Sequence, residues 1–116
     1  MTGSLIESAL SGMTYKGVAV PVAHLKYGKT AKTYLVDYTY LDQDESFADD
    51  DPQDGGTYST VDIYSNDRDA MATLYPDIKS RLRAAGFSII QAGPERHEDD
   101  TGMNHWPINI YHEREA

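Results

Sequence analysis

The sequence predicts an α+β domain: a single antiparallel or mixed sheet of four to five strands, with two helices packed on one face, in the order α-β-β-β-α-β-β. Three observations predict it. Two segments, KTYLVDYTYLD and TYSTVDIYS, alternate in polarity with the period of a strand. One long segment, residues 67–85, repeats its apolar residues with the period of a helix. The links between elements are short, which favours antiparallel neighbours and a two-layer solution.

The first helix is SLIESALSG. Ser4 and Glu7 have the spacing of a capping box, Leu5, Ile6, Ala9 and Leu10 form an apolar side, and Gly12 suits the stop. VAVPVAHL, residues 18–25, is short and β-branched, and Pro21 marks it as an edge or irregular strand. YGKTAK is a turn-like link. In the next strand Tyr34, Val36, Tyr38 and Tyr40 share one face, and Leu35, Asp37, Thr39 and Leu41 the other. Residues 43–56, QDESFADDDPQDGG, form a long acidic loop with Phe47 as its one large apolar residue. In TYSTVDIYS, Val61 and Ile63 face away from Tyr58 and Tyr64.

The long helix is capped by Asn66 or Asp67 and presents Met71, Leu74, Ile78, Leu82 and Ala85 to the core. Lys79, Arg81 and Arg83 lie in its second half, where positive charge suits the helix dipole. Gly86 ends it. Pro76 removes one helical hydrogen bond, so a kink there, or a start just before it, is expected. FSIIQAG is a strand, PERHEDDTGMNH a turn region, and WPINIYHERE a last strand with Trp106, Ile108 and Ile110 on one side. The whole chain, residues 1–116, reads as one domain without repeats or a linker.

Composition narrows the function. The net charge is −9, and the ten basic residues form no stripe, which disfavours binding to a phosphate backbone. There is no cysteine, so disulfides, thiolate catalysis and cysteine-ligated zinc are excluded. No apolar run is long enough for a bilayer, and MTGSLIESALSGM lacks the charged start and apolar centre of a signal peptide. A soluble, cytoplasmic setting is expected, with no membrane.

Two stretches invite a chemical reading. FADDDPQDGG has the carboxylate density of a calcium loop. From Asp49, however, the sixth and twelfth positions are Asp54 and Thr60, where that motif asks for Gly and Glu, and from Asp50 the third position is Pro52. It reads as a solvated loop. HEDDTGMNHWPINIYHE carries three of the four histidines. His105 and His112 are seven apart on one strand and point to opposite faces. His97 and His105 flank a turn, so a metal-binding or metal-dependent enzyme domain using His97, Asp99 and His105 is the alternative reading. The simpler one is that DDTG supplies turn residues. Phosphate loops, nucleophile elbows and HExxH are absent. The nine tyrosines suit a sheet face, and a Tyr-rich face that meets another subunit is a second use for them.

VPVAHLKY, then TYLVDYTYLDQDESFADD, VDIYS, a helix ending AAGF, and EDDTG before a last strand ending YH: this succession, from about Leu5 to Glu113, resembles the small tail-completion proteins of long-tailed bacteriophages, also called tail terminators or head-tail joining proteins. The resemblance rests on element order, not on a catalytic motif. Pro76 and the longer DDPQDGG loop depart from the family pattern. The resemblance implies an antiparallel sheet with helices against it, no enzymatic activity and no cofactor. It implies a ring of identical subunits, usually six, on the head-proximal end of the tail in the virion, assembled in the bacterial cytoplasm. Its partners would be itself, the tail tube protein and the head connector or adaptor protein, with DNA passing through unbound. An acidic lumen would let DNA slide. The loop residues Phe47, Asp49, Asp50, Asp51 and Asp54 are the expected partner contacts, with Phe47 as anchor and the carboxylates as rim.

Overall fold

The computed structural model describes residues 2–25, 27, 31–43 and 56–113; for residues 2–4 and 41–43 it describes the backbone alone. The chain runs α1 (Thr2–Leu10), β1 (Thr14–Tyr15), β2 (Val18–Ala19), β3 (Val22–His24), β4 (Thr33–Gln43), β5 (Gly56–Ser65), α2 (Asp69–Ala84), β6 (Phe87–Ala92), β7 (Arg96–Glu98) and β8 (Met103–Glu113). It is an α+β fold with a mixed sheet of six strands in the order β3-β4-β5-β8-β6, β7 also pairing with β8. β1 and β2 form a separate two-stranded hairpin.

This sheet has more strands than the four to five expected. The residues 18–25 predicted as one strand are split at Val20–Pro21 into pieces that belong to different sheets. The cause is local: Pro21 has no N–H for a ladder, though its carbonyl accepts from Leu35 N at 2.8 Å. The edge placement holds, since β3 borders the sheet and runs parallel to β4. β1 and β7 are too short for an alternating pattern to show. β8 begins at Met103, three residues before the expected start. α1 begins at Thr2, so Ser4 lies inside its first turn and not at the capping position.

The three long strands set the layers. Leu35 pairs with Ile63, and Ile63 with Trp106; Asp37 pairs with Val61, and Val61 with Ile108. These residues therefore share one face, and both helices cover it. Ile6 and Leu10 of α1 and Met71, Leu74, Ile78 and Leu82 of α2 are buried there against Leu35, Val61, Ile63, Ile108 and Ile110. Each such side chain contributes about 1.5–3 kcal/mol by leaving water. β5 and β6 are parallel, joined over the sheet by α2, and β8 slots between them. Pro107 is tolerated inside β8 because its nitrogen faces the break between β6 and β7. There its carbonyl accepts from Gly93 N at 2.8 Å.

The N-cap of α2 is Arg68, which makes no side-chain capping hydrogen bond, and not Asn66 or Asp67; the turn before it is held by neighbouring side chains. Asp67 Oδ1 accepts from Asp69 N at 3.0 Å, while Ser65 Oγ accepts from Asp67 N at 3.0 Å. Arg81 joins the two helices. Its Nη1 donates to the carbonyls of Ser11 and Ala9 at 2.8 and 3.3 Å, at the C-terminal end of α1. α1 has no basic residue in its own last turn, so Arg81 supplies the cation that end favours. Pro76 does not start the helix: α2 runs through it from Asp69. Pro76 and Ala72, whose carbonyl loses its donor, both lie on the exposed side, where water replaces the bond.

The helical position of Pro76 yields a prediction. Pro76→Ala restores the missing bond and is expected to raise stability by about 1–3 kcal/mol. The urea midpoint would move up at constant slope; an unchanged or lower midpoint would contradict this account of the helix.

Candidate functional site

The sheet face away from the helices holds the chemistry. Alternation puts Tyr34, Val36 and Tyr38 of β4 there, with Tyr58, Thr60, Asp62 and Tyr64 of β5 and His105, Pro107, Asn109 and Tyr111 of β8. The register shifts between Thr39 and Leu41, and the ring of Tyr40 meets Tyr58. Among the described residues no helix packs on it. Its aromatic rings organise in two rows. Tyr27, Tyr34, Tyr64 and His105 stack in succession, with centroids 4.5, 5.0 and 4.5 Å apart. Tyr40, Tyr58 and Tyr111 form the other row, at 6.1 and 4.7 Å. Cross-strand aromatic pairs of this kind stabilise a sheet and shield the smaller residues between them. Thr60 and Asp62 are buried in that way, and Thr60 Oγ1 donates to Asn109 Oδ1 at 3.0 Å.

Asp62 is the unusual member. It is 5% exposed. His105 Nε2 stands 3.1 Å from its Oδ1, yet the angles miss those of a hydrogen bond, and neither atom has another partner among the described residues. Burial pushes the Asp62 carboxyl up, and His105 opposes the shift without cancelling it. Burial, and then the charges of Asp62 and Glu98, push the Tyr64 hydroxyl up to about 12, so it stays a proton donor and not a base. Among the described residues no hydroxyl is hydrogen-bonded to His105.

A second Asp–His pair lies on the helix face, near the β3 edge. His24 and Asp37 sit side by side in register, with Nδ1 2.6 Å from Oδ1. Asp37 is fully buried and its Oδ2 has no partner among the described residues. Its carboxyl is raised, chiefly by burial, with the Glu7 charge adding to the effect and His24 working against it.

The residues singled out from the sequence do not converge. His97 pairs in register with Asn104, while His105 pairs with Arg96, so the two histidines project from opposite faces of the β7–β8 hairpin. His97 Nδ1 instead meets Asn104 Oδ1 at 3.1 Å, and Asp99 is fully exposed 3.9 Å from His97 Nε2. Among the described residues no group of three or more His, Asp or Glu is placed to hold a metal. The DDTG turn forms as expected: Gly102 N donates to Glu98 O at 2.9 Å, and Thr101 Oγ1 accepts from Met103 N at 3.2 Å. Phe47, Asp49, Asp50, Asp51 and Asp54 lie outside the described residues, as does most of the acidic loop.

Two clefts lie among the described residues. One, of about 520 Å³, is walled by Tyr15, Val18, Ala19, Ala31 and Thr33 and edged by Lys16, Lys32, Asn66 and Asp67. Asp67 organises it, accepting from Tyr15 Oη at 2.7 Å and Lys16 Nζ at 2.8 Å. Those contacts hold the Asp67 carboxyl down at about 2. The other cleft, of about 390 Å³, is polar and lies between Arg68, Glu95, Arg96, His97 and Asn104. The sequence reading missed both Asp–His pairs and both clefts. The pairs have a signal in hindsight, an Asp on each alternating strand, but naming the histidine needs the register.

Compared with known proteins, the chain matches no family model and no curated sequence. Its functional reading therefore rests on its own residues and geometry.

The two raised carboxyls make stability pH-dependent. A carboxyl raised in the folded state favours folding fully below its unfolded value of 3.8 and loses that contribution as pH rises through its folded value. Asp62→Asn is thus expected to leave stability nearly unchanged at pH 3 and to raise it by about 1–2 kcal/mol at pH 8. Urea unfolding across that range would check it. A destabilised variant at pH 8 would show that the Asp62–His105 contact outweighs the cost of burial.

Proposed function

We propose that this chain is a structural assembly protein: a non-enzymatic subunit that forms a ring, usually of six copies, caps a phage tail tube and joins it to the head connector. The tail tube protein, the connector and the chain itself are its partners. DNA passes through the ring without specific binding, and the protein resides at the head-proximal end of the virion tail.

The observation that carries this reading is the tyrosine-rich face. Two helices cover one side of the sheet, and a layer of amphipathic rings stands on the other. Tyrosine gives large contact area at little cost in conformational entropy, which is why it concentrates where proteins meet. Tyr40 remains 49% exposed at the end of that face. Thr60 and Asn109 bond to one another across strands there, and Asp62 lies 3.1 Å from His105. The succession FADD, VDIYS, AAGF and EDDTG supports the phage assignment specifically. The charge of −9, multiplied around a ring, suits a conduit that DNA traverses without sticking.

The test is genetic. In a phage that carries this gene, a nonsense mutation in it is expected to leave DNA-filled heads unjoined to tails, with tail tubes of irregular length. Normal, infectious particles made without the protein would overturn the proposal.

A further inference from the structure

The 520 Å³ cleft and the acidic segment lie at opposite ends of the same hairpin, and their chemistries match. The cleft has an apolar wall, with Val18 67% exposed, and a rim on which two lysines, Lys16 and Lys32, face one carboxylate, Asp67. The Lys32 side chain has no hydrogen bond or ion pair among the described residues, whereas Lys16 is held by Asp67. Four of the five lysines, Lys16, Lys26, Lys29 and Lys32, fall in this part of the sequence. Residues 44–54 contain six carboxylates around one aromatic side chain, Phe47. An apolar cleft rimmed by lysine calls for an aromatic anchor flanked by carboxylates.

A chain cannot fill its own cleft with Phe47. Thr33 pairs with Ser65 at the cleft end of β4–β5, and Gln43 pairs with Gly56 at the other end. Ten residues of strand separate those ends, about 33 Å. Phe47 is four residues beyond Gln43 in the sequence, and four residues of chain reach at most about 14 Å. Any occupancy by this segment is therefore between molecules.

We propose that the cleft between Val18, Ala31 and Lys32 receives the Phe47-containing acidic segment of a second copy of this chain. The contact is head-to-tail, joining different surfaces on the two copies. Repetition of such a contact closes a ring when the rotation per subunit divides a full turn, and otherwise builds a filament. This inference rests on the reading of the chain as a self-assembling subunit, and not on which particle it builds.

The absence of cysteine permits a direct test. Full-length Ala31→Cys, in the cleft wall, is mixed with full-length Ala48→Cys, beside the anchor, and treated with a short bismaleimide. Ile90→Cys, exposed on the distant strand β6, replaces Ala31→Cys as the control. The proposal expects a crosslinked pair well above the control yield. It expects Lys32→Glu in the Ala31→Cys chain to reduce that yield about five-fold. It expects a partner carrying Asp49→Lys, Asp50→Lys and Asp51→Lys to restore it. A yield no higher than the control, or one indifferent to Lys32→Glu, overturns the docking while leaving the tail assignment to its genetic test. Crosslinking as proposed, beside normal phage made without the gene, would keep the docking and remove the assignment.

Discussion

Everything in this fold depends on the register of three long strands. Leu35, Ile63 and Trp106 sit in one cross-strand row, and Tyr34, Tyr64 and His105 in the next, on the opposite side. A slip of one residue would send the aliphatic row to solvent and the tyrosines under the helices. The aliphatic rows leave water only when α1 and α2 lie over them, so register, helix placement and core form together. The Arg81 bridge to the end of α1 then fixes one helix against the other.

The same alternation gives the protein two unlike faces. One is spent on folding. The other carries aromatic rings that shield one another and remain partly open. The two buried carboxylates among the described residues, Asp37 and Asp62, sit beside a histidine, one on each face. Their burial opposes ionisation, whereas Asp67, at the surface and bonded to Lys16 and Tyr15, is held ionised. The Asp67 contribution is present above the ordinary carboxylate range and lost as pH falls toward about 2, the reverse of the buried pair. The acid response of the chain is thus a sum of opposed terms from identifiable residues.

Much of the fold was legible because long elements repeat their pattern. KTYLVDYTYLD showed its faces as far as Thr39, where an irregularity shifts the register, TYSTVDIYS showed its own, and Met71, Leu74, Ile78 and Leu82 marked the buried stripe of α2. The turn at DDTG followed from its residue types. Strands of two or three residues have no period to detect, so β1 and β7 went unseen, and β2 was read as one strand with β3. The insertion of β8 between β5 and β6 is a tertiary choice that no local pattern encodes. The Asp–His pairs and the large cleft join residues remote in sequence: Tyr15 meets Asp67, and His105 meets Asp62. His97, Asp99 and His105 are not brought together, for a related reason. His97 and His105 flank the turn as expected, but the pairing of Arg96 with His105 sets the two histidines on opposite faces.

The central claim is that the aromatic face, on which no helix packs among the described residues, exists to meet other protein chains. Tyrosine nitration read by mass spectrometry tests it most directly, on the isolated protein and on the intact particle. The account predicts that Tyr40 and Tyr58 are modified in the isolated chain and protected in the particle. Equal modification in both states would mean that the face meets nothing, and would contradict the account.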